Sequence, residues 1–297
     1  MIKSADDGCL LVAGGELDPN LTRLIEVAKS QGVPVCELRH GQEDSPQFSW
    51  HLTQGNPRIK DRVVSATGAF IRYDVFGHMS YPKSGASKRA SGWYQTLYGW
   101  LLSQPDIRLF NRQHLPAVGN KPAMLLLAQQ SGLLVPDTLI TNEAEELGKY
   151  SVGSAIAKPV AGGDFCYSLE ELYSSVNFRN GCAAMPAIVQ NRLVAPEIRI
   201  YIVGDSAFAF EVRSQHLDYR VKPDAEIIPL TTVPEEVELL RKFMANLKMD
   251  FGAADFKTVP KTKQLVFLEL NSSPMFVRFD REVKGSLCEA MIQTLIE

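Results

Sequence analysis

The five cysteines of this 297-residue sequence lack the spacing of a disulfide framework or of a metal site. They are scattered along the chain, and no two of them form a Cys-x-x-Cys pair. Small disulfide-stabilised domains and zinc sites both use closely spaced, paired cysteines. The pattern instead predicts reduced thiols, and we therefore expect a cytoplasmic protein.

Long hydrophobic runs and an excess of positive charge are also absent. No stretch approaches the length of a membrane span, and the first residues have no apolar core of signal-peptide length. Lys and Arg number 31 against 34 Asp and Glu, so the formal net charge of −3 provides no basic excess to attract nucleic acid or an anionic membrane. We expect neither as a partner.

The sequence further lacks the two commonest glycine-rich nucleotide-binding motifs. It contains no G-x-x-x-x-G-K-[ST] segment, which excludes a P-loop. Gly14 and Gly15 follow an apolar run, but they do not form G-x-G-x-x-G, and no acidic residue stands at a strand end about twenty residues further on. A dinucleotide site of that type is therefore not favoured.

Hydrophobic periodicity predicts alternating strands and helices that give way to a strand-rich region. We predict helices at residues 21–30, 90–102, 123–130, 168–176 and 234–247 and from 286 onward, and strands at residues 9–13, 32–38, 69–73, 136–140, 154–159, 188–190, 198–203 and 207–212. Gly204 and Asp205 are typical of a hairpin turn between the last two of these strands. The length allows two or three packed lobes, the first of them Rossmann-like.

The most informative segment is 267–274, with the sequence FLELNSSP. On a β-strand, residues two positions apart point to the same face, so Glu269 and Asn271 are expected to project together. Two neighbouring oxygen ligands suit a hard cation such as Mg²⁺, and Asp255 is a third candidate. Taken alone, an acid–x–amide pair is more often a solvated strand end.

Two lysines and a glycine pair suggest a site for phosphate. Lys121 stands at a predicted helix start, and Lys158 ends an apolar strand just before Pro159. Gly162 and Gly163 follow, and glycines allow backbone N–H groups to approach a phosphate closely. The alternatives are solvated lysines and an ordinary hairpin turn.

The order of these features resembles the ATP-grasp superfamily of carboxylate–amine ligases over roughly residues 111–281. The branch that it resembles most contains the ribosomal-protein glutamate ligases and the ATP-grasp maturases of ribosomally made peptides. The resemblance implies an α/β chain of the α+β ATP-grasp type, with a Rossmann-like lobe followed by two α+β lobes that clamp ATP between them. The implied domains are 1–115, 116–186 (the lid) and 187–297 (the lobe with the metal site).

The resemblance also implies roles for individual residues. The segment 189–193 resembles a hinge whose backbone contacts adenine, although relatives more often have Glu at the position of Gln190; Glu197 would hold the ribose hydroxyls. Arg199 and Arg213 would point into one cleft and stabilise the transferring phosphoryl group. The full implied nucleotide-binding set is Lys121, Lys158, Gly162, Gly163, Gln190, Asn191, Leu193, Glu197 and Arg220, with Lys158, Arg199 and Arg213 as catalytic residues. Asp255, Glu269 and Asn271 would hold a pair of Mg²⁺ ions, for which Mn²⁺ can substitute.

The implied function is an ATP-dependent ligase that forms an acyl phosphate and passes the acyl group to an amine or a hydroxyl. A peptide is the favoured substrate, and a free amino acid or dipeptide is the alternative. A kinase and a non-catalytic nucleotide-binding protein are the other interpretations. Relatives usually continue with Gly after Asn-x-Ser-Pro, whereas this chain has Met275, so the substrate cannot be copied from one relative.

The first lobe offers further candidates. Trp93, Tyr94, Tyr98 and Trp100 lie at helical spacing and predict either a core or a peptide-docking groove. So many aromatic residues in the first lobe also favour a homodimer. Arg72 is a candidate to bind a substrate carboxylate, with an ordinary surface position as the alternative.

Overall fold

The computed structural model describes residues 8–53, 55–80, 84–161, 166–218 and 224–297, with the side chains of residues 78 and 84 outside the description. The chain forms two compact units. The first comprises Met1–Arg112 and Met275–Glu297, and the second comprises Gln113–Pro274. The three-domain division at 1–115, 116–186 and 187–297 stays a prediction, but residues 275–297 pack with the first unit, outside the predicted last domain.

The first unit is built on a parallel sheet. In chain order its first part contains β1 (Cys9–Gly15), α1 (Pro19–Ser30), β2 (Val35–His40), β3 (Phe48–Ser49), β4 (Arg58–Ile59), β5 (Arg62–Val63), β6 (Ala66–Ile71), α2 (Phe76–Ser80), α3 (Ser84–Leu102) and β7 (Arg108–Leu109). The parallel sheet has the order β2-β1-β6-β7, and β3, β4 and β5 form a small antiparallel sheet. This topology is Rossmann-like, as predicted.

The core of this unit explains the aromatic residues of α3. Trp100 is fully buried beside Leu97 and the β1 residue Leu11, and Trp93 and Tyr98 pack partly buried against the same cluster. Trp100 is therefore a core residue, which is the first of the two alternatives that its spacing allowed.

The second unit contains two antiparallel sheets. Its elements are α4 (Lys121–Gln130), β8 (Thr138–Glu143), α5 (Ala144–Leu147), β9 (Ala155–Pro159), β10 (Tyr167–Ser168), α6 (Leu169–Ser175), β11 (Cys182–Asn191), β12 (Val194–Val203), β13 (Ser206–Arg213), β14 (Glu226–Pro229), α7 (Glu236–Asn246), β15 (Phe251–Thr258) and β16 (Leu265–Asn271). The smaller sheet has the order β10-β9-β11-β8 and the larger the order β14-β13-β12-β15-β16. One face of the larger sheet packs on α4 and α7, which buries Phe243, Phe256 and Phe267 together.

The last two helices, α8 (Val277–Glu282) and α9 (Ser286–Ile296), return to the first unit. Asp280 is fully buried, and its carboxylate accepts hydrogen bonds from Arg23 Nε of α1 (2.7 Å) and from the backbone N–H of Cys288 (2.9 Å). A Cβ on Gly68 of β6 would lie 1.8 Å from the carbonyl oxygen of Leu295, so glycine allows α9 to approach the parallel sheet.

A buried polar network at the start of α1 holds the same C-terminal segment. Asp18 caps α1 and accepts a 2.7 Å hydrogen bond from Arg72 Nε. The residue Arg72 is only 5 % exposed. Asn20 Oδ1 accepts hydrogen bonds from the N–H groups of Phe276 (2.7 Å) and Val277 (3.0 Å). The expectation that Arg72 is an ordinary surface residue is therefore wrong, because its guanidinium belongs to this network.

Most of the predicted elements are present, with shifted ends. The helix predicted at 90–102 begins earlier, at Ser84, because its first two turns are rich in Gly and Ser and carry little hydrophobic signal. The strands of two residues and the short helices α2, α5 and α8 were not predicted, because such segments are too short to show a periodicity.

Among the described residues, no helix is long and apolar enough to cross a membrane. All five cysteines lie in the described part of the chain, and each is a free thiol.

We expect Phe267→Ala to lower the free energy of unfolding by about 3–5 kcal/mol, because it opens a cavity between α7 and the larger sheet. Urea unfolding followed by circular dichroism measures the change. Leu126→Ala, at a position of α4 that is 61 % exposed, is the matched control and should change little. A loss below about 1 kcal/mol for Phe267→Ala would contradict this packing.

Candidate functional site

The larger sheet of the second unit has one apolar face and one charged face. Along β12, Ile198, Ile200 and Ile202 point into the core, so the alternating residues, including Arg199, point to the opposite face. Arg199 stands directly across from Asp255 on β15 in the strand register. The alternation that buries the isoleucines therefore also brings two predicted site residues together.

Arg199 and Asp255 form a buried ion pair. Arg199 Nη1 donates to Asp255 Oδ1 at 2.9 Å and to Oδ2 at 3.0 Å, and the two residues are 5 % and 6 % exposed. Arg199 Nε donates to the hydroxyl of Tyr201 at 3.0 Å. Tyr201, which was not predicted, follows Arg199 by two residues, and the strand alternation would have placed it on this face.

A β-bulge directs the acidic residue of β16 to the same face. Asp255 pairs with Glu269, whereas its neighbour Phe256 pairs with Phe267, so Leu268 is the extra residue. Without the bulge, Phe267 and Glu269 would share a face. With it, Phe267 enters the core while Glu269 lies across from Asp255.

Asn271 completes the predicted group of oxygen ligands. It pairs with Ala253, two residues before Asp255, and its amide nitrogen lies 3.4 Å from Glu269 Oε1. In the described part of the chain, no group of three or more His, Cys, Asp and Glu side chains is arranged to hold a metal ion by itself. A cation here would therefore use two carboxylates and one amide, with phosphate or water completing its shell, which fits the preference of Mg²⁺.

Lys158 lies close enough to these acids for their charges to act on it. Burial lowers the pKa of its ammonium group, and the charges of Glu269, Cys166 and Asp255, in that order of size, act in the opposite direction. The charge of Lys121 lowers the pKa of Lys158 further, and Lys121 Nζ donates to the carbonyl oxygen of Pro159 at 3.1 Å. Two lysines and two carboxylates therefore meet in one region of the second unit.

Glu197 lies on the charged face and pairs with a lysine that the sequence did not predict. Lys257 Nζ is 3.0 Å from Glu197 Oε2, and the two residues are opposite each other in the register of β12 and β15. Burial raises the pKa of Glu197, and the charge of Lys257 opposes that shift. Lys257 follows Asp255 by two residues, so strand alternation indicates that both side chains lie on the same face of the sheet.

Gln190 on β11 carries a buried acceptor that has no partner in the described part of the chain. Its Nε2 donates to Thr138 Oγ1 at 2.9 Å, and the Thr138 hydroxyl donates to the carbonyl oxygen of Pro136 at 2.7 Å. The only proton of the hydroxyl is used there, so Thr138 Oγ1 must accept and the amide orientation of Gln190 is fixed. Oε1 of Gln190 is left buried and unpaired.

The rest of the predicted hinge lies at the end of the smaller sheet. Asn191 is exposed and pairs with Ala155, and Leu193 is half-buried between β11 and β12. The N–H of Arg192 donates to the carbonyl oxygen of Ser154 at 2.8 Å. The N–H of Arg192 is therefore already engaged within the protein.

The prediction that Arg213 points into the same cleft as Arg199 is wrong. Arg199 pairs with Phe210, and Arg213 lies three positions after Phe210, so the two arginines lie on opposite faces. Arg213 is exposed and pairs with Glu211 at 2.7 Å. Gly162, Gly163 and Arg220 lie outside the described residues.

We expect Glu197→Gln to gain stability relative to the parent chain as the pH rises. The pKa of Glu197 is raised in the folded state, so its contribution is fully present below the unfolded value of about 4.3 and is lost as the pH rises through the folded value. Urea unfolding between about pH 4 and pH 8 measures the difference. The exposed Glu238→Gln should follow the parent at every pH, and a constant difference for Glu197→Gln would refute the expectation.

No protein-family model matches the sequence, and no curated protein matches it. Solved structures do resemble it. The ATP-grasp ligase PsnB, in complex with a minimal precursor, Mg and ADP, is 21 % identical over 99 % of both chains, with a TM-score of 0.73. The macrocyclase MdnC from Microcystis aeruginosa MRC, bound with the precursor peptide MdnA, is 17 % identical over 97 % of this chain and 99 % of its own, with a TM-score of 0.72.

A third solved structure that resembles this chain is a ligase of another specificity. The VanG D-Ala:D-Ser ligase from Enterococcus faecalis is 15 % identical over 98 % of both chains, with a TM-score of 0.60. Because these similarities extend over almost the whole of each chain, the protein has the ATP-grasp fold.

Proposed function

We propose that this protein is an ADP-forming ligase that uses ATP to join a carboxylate to an amine. The observation that carries the proposal is the convergence of Lys158, Arg199, Asp255 and Glu269 on the charged side of the second unit. A surface that served only packing would not enclose so many charges, because each loses hydration on burial. The ATP-grasp fold supports the same function.

The proposed reaction has two steps and needs no protein nucleophile. A carboxylate oxygen attacks the γ-phosphorus of ATP, the bond to the bridging oxygen breaks, and ADP leaves. The amine then attacks the acyl carbon, the C–O bond to phosphate breaks, and the amine loses its proton as the amide forms. A hydroxyl in place of the amine would give an ester.

The residues of the site supply positive charge and oxygen ligands for these steps. Lys121 and Lys158 would neutralise the phosphates, and Arg199 would stabilise charge on the transferring phosphoryl group. Asp255, Glu269 and Asn271 would hold Mg²⁺, which when bound neutralises the phosphate oxygens. Mn²⁺ has the same ligand preference and is expected to substitute.

The fit of ATP itself rests on Gln190. Its buried Oε1 lacks a partner in the described part of the chain and can only accept a hydrogen bond. The exocyclic amino group of adenine is a donor, whereas a 6-oxo purine would place an acceptor against it. Glu197, Asn191 and Leu193 would contact the remainder of the nucleoside, and Gly162, Gly163 and Arg220 its phosphates. A phosphate role for Arg213 is not supported by its exposed position on the other face.

A peptide is the proposed substrate. PsnB and MdnC, which this chain resembles, both form complexes with precursor peptides. The alternative substrate is a free amino acid or a dipeptide, because this chain also resembles VanG, a D-Ala:D-Ser ligase. We also propose a cytoplasmic location, which the free thiols suggest. A homodimer and the three-domain division are further parts of the proposal.

We expect ADP release with Mg²⁺-ATP and an acceptor pool, and a loss of at least about a hundredfold in Glu269→Ala and Lys158→Ala. One pool contains short acidic peptides and the other free amino acids, with mass spectrometry of both mixtures. Lys261→Ala, an exposed position on the β15–β16 turn, is the control.

A product that has lost one water identifies the ligase and its substrate class. A product that has gained one phosphate would instead identify a kinase, and ADP release unchanged by Glu269→Ala would contradict the proposed site.

We expect the parent chain to bind ATP more tightly than inosine triphosphate and Gln190→Leu to lose about tenfold of that preference, because the variant has no acceptor. Thr138→Val should relax the preference as well, since it frees the Gln190 amide to rotate and donate to a 6-oxo group. Calorimetric titration measures both, with the exposed Gln130→Leu as control. A preference unchanged in Gln190→Leu would show that this side chain does not face the base.

A further inference from the structure

Lys257 occupies a junction of three segments of the second unit. Its ammonium lies 3.0 Å from Glu197 Oε2 on β12 and donates to the carbonyl oxygen of Leu217 at 3.1 Å. Lys257 itself is part of β15, directly across from Glu197 in the register. One side chain therefore connects two strands and the segment 214–218 that follows β13.

The pair with Glu197 is enclosed enough to constrain the carboxylate. The side chains of Lys257 and Glu197 are 19 % and 13 % exposed. The surface pair of Lys149 and Glu146 is 59 % and 33 % exposed, and pairs of that kind contribute little. Removal of Lys257 would leave Glu197 largely buried without its cation, and the carboxylate would then turn toward solvent.

The second hydrogen bond of Lys257 holds a segment that also contacts the chain just before β10. Leu217 precedes Asp218, and the carboxylate of Asp218 accepts a 3.3 Å hydrogen bond from the N–H of Cys166. Cys166 directly precedes β10. Lys257 therefore holds residues 214–218 in place as well as Glu197.

We propose that Lys257 is the positioning residue of the nucleoside site: it holds the Glu197 carboxylate in place for the ribose hydroxyls and fixes the segment 214–218 beside it. This inference rests on the proposed ATP site. Lys257 does not touch the nucleotide and acts only through Glu197 and Leu217.

The experiment compares the affinities for ATP and 2′-deoxyATP in the parent chain, Lys257→Met, Lys257→Arg, Glu197→Gln and the double variant Lys257→Met/Glu197→Gln. A carboxylate that holds the ribose hydroxyls makes the parent prefer ATP. We expect Lys257→Met to bind ATP about tenfold more weakly and to lose most of that preference, because a charged hydrogen bond orients Glu197. Lys257→Arg, which keeps the charge and the donors, should retain the preference.

Coupling between the two residues provides a second readout. If Lys257 acts through Glu197, the double variant should prefer ATP over 2′-deoxyATP by the same factor as Glu197→Gln alone. Lys261→Met, at the exposed turn after β15, should behave as the parent, and circular dichroism confirms that each variant is folded.

Three results would overturn the inference. An equal loss of affinity for both nucleotides in Lys257→Met would indicate a merely structural role. If the parent chain binds ATP and 2′-deoxyATP equally well, the proposed contact to the ribose hydroxyls is refuted, while the proposed ATP site still stands. A parent chain that binds neither nucleotide would refute the proposed function as well.

Discussion

The charged side of the second unit depends on the buried ion pair between Arg199 and Asp255. Burial of two charges is costly, and only close, well-oriented hydrogen bonds offset the cost. Here the two strands hold the partners in register, and the isoleucines and phenylalanines on the other face fix those strands against α4 and α7. The hydrophobic core therefore determines the geometry of the site, because it fixes the two strands from which both side chains project.

The same pair bears on the proposed cation site, which has no dedicated cage of carboxylates. Arg199 already contacts both oxygens of Asp255, so Asp255 alone is a poor metal ligand in this state. Glu269, one strand further, supplies a second carboxylate, and the bulge at Leu268 directs it to this face. Binding of Mg²⁺ with phosphate would redistribute these contacts, since the phosphate gives Arg199 an alternative anion. The site is therefore suited to a metal that arrives with its nucleotide.

The sequence allowed much of this site to be predicted, because strand alternation is local information. Glu269 and Asn271 were placed on one face from their spacing, and Lys158 was singled out as a charge at the end of an apolar strand. The prediction for Arg213 was wrong because it relied only on the position of Arg213 across a hairpin from Arg199. The pairing of Arg199 with Phe210 shows that Arg213 lies on the other face of the sheet. The cation partner of Glu197 depends on pairing between distant strands, which a single sequence does not report.

The fold shows the same division between local and long-range information. The major helices and strands follow from periodicity, but the return of residues 275–297 to the first unit does not. That return depends on Asn20, whose side chain accepts from two backbone N–H groups more than 250 positions away, and on Asp280, which binds Arg23. Contacts of this kind join positions that have no pattern in common along the chain.

The most direct test of the account is the position of the metal. Crystals grown with Mn²⁺ and a non-hydrolysable ATP analogue would locate the ion by its anomalous signal. The account predicts a peak within about 2.5 Å of carboxylate oxygens of both Asp255 and Glu269, with the triphosphate on the side of Lys158. A metal bound elsewhere, or a nucleotide that leaves the charged face of the sheet untouched, would contradict it.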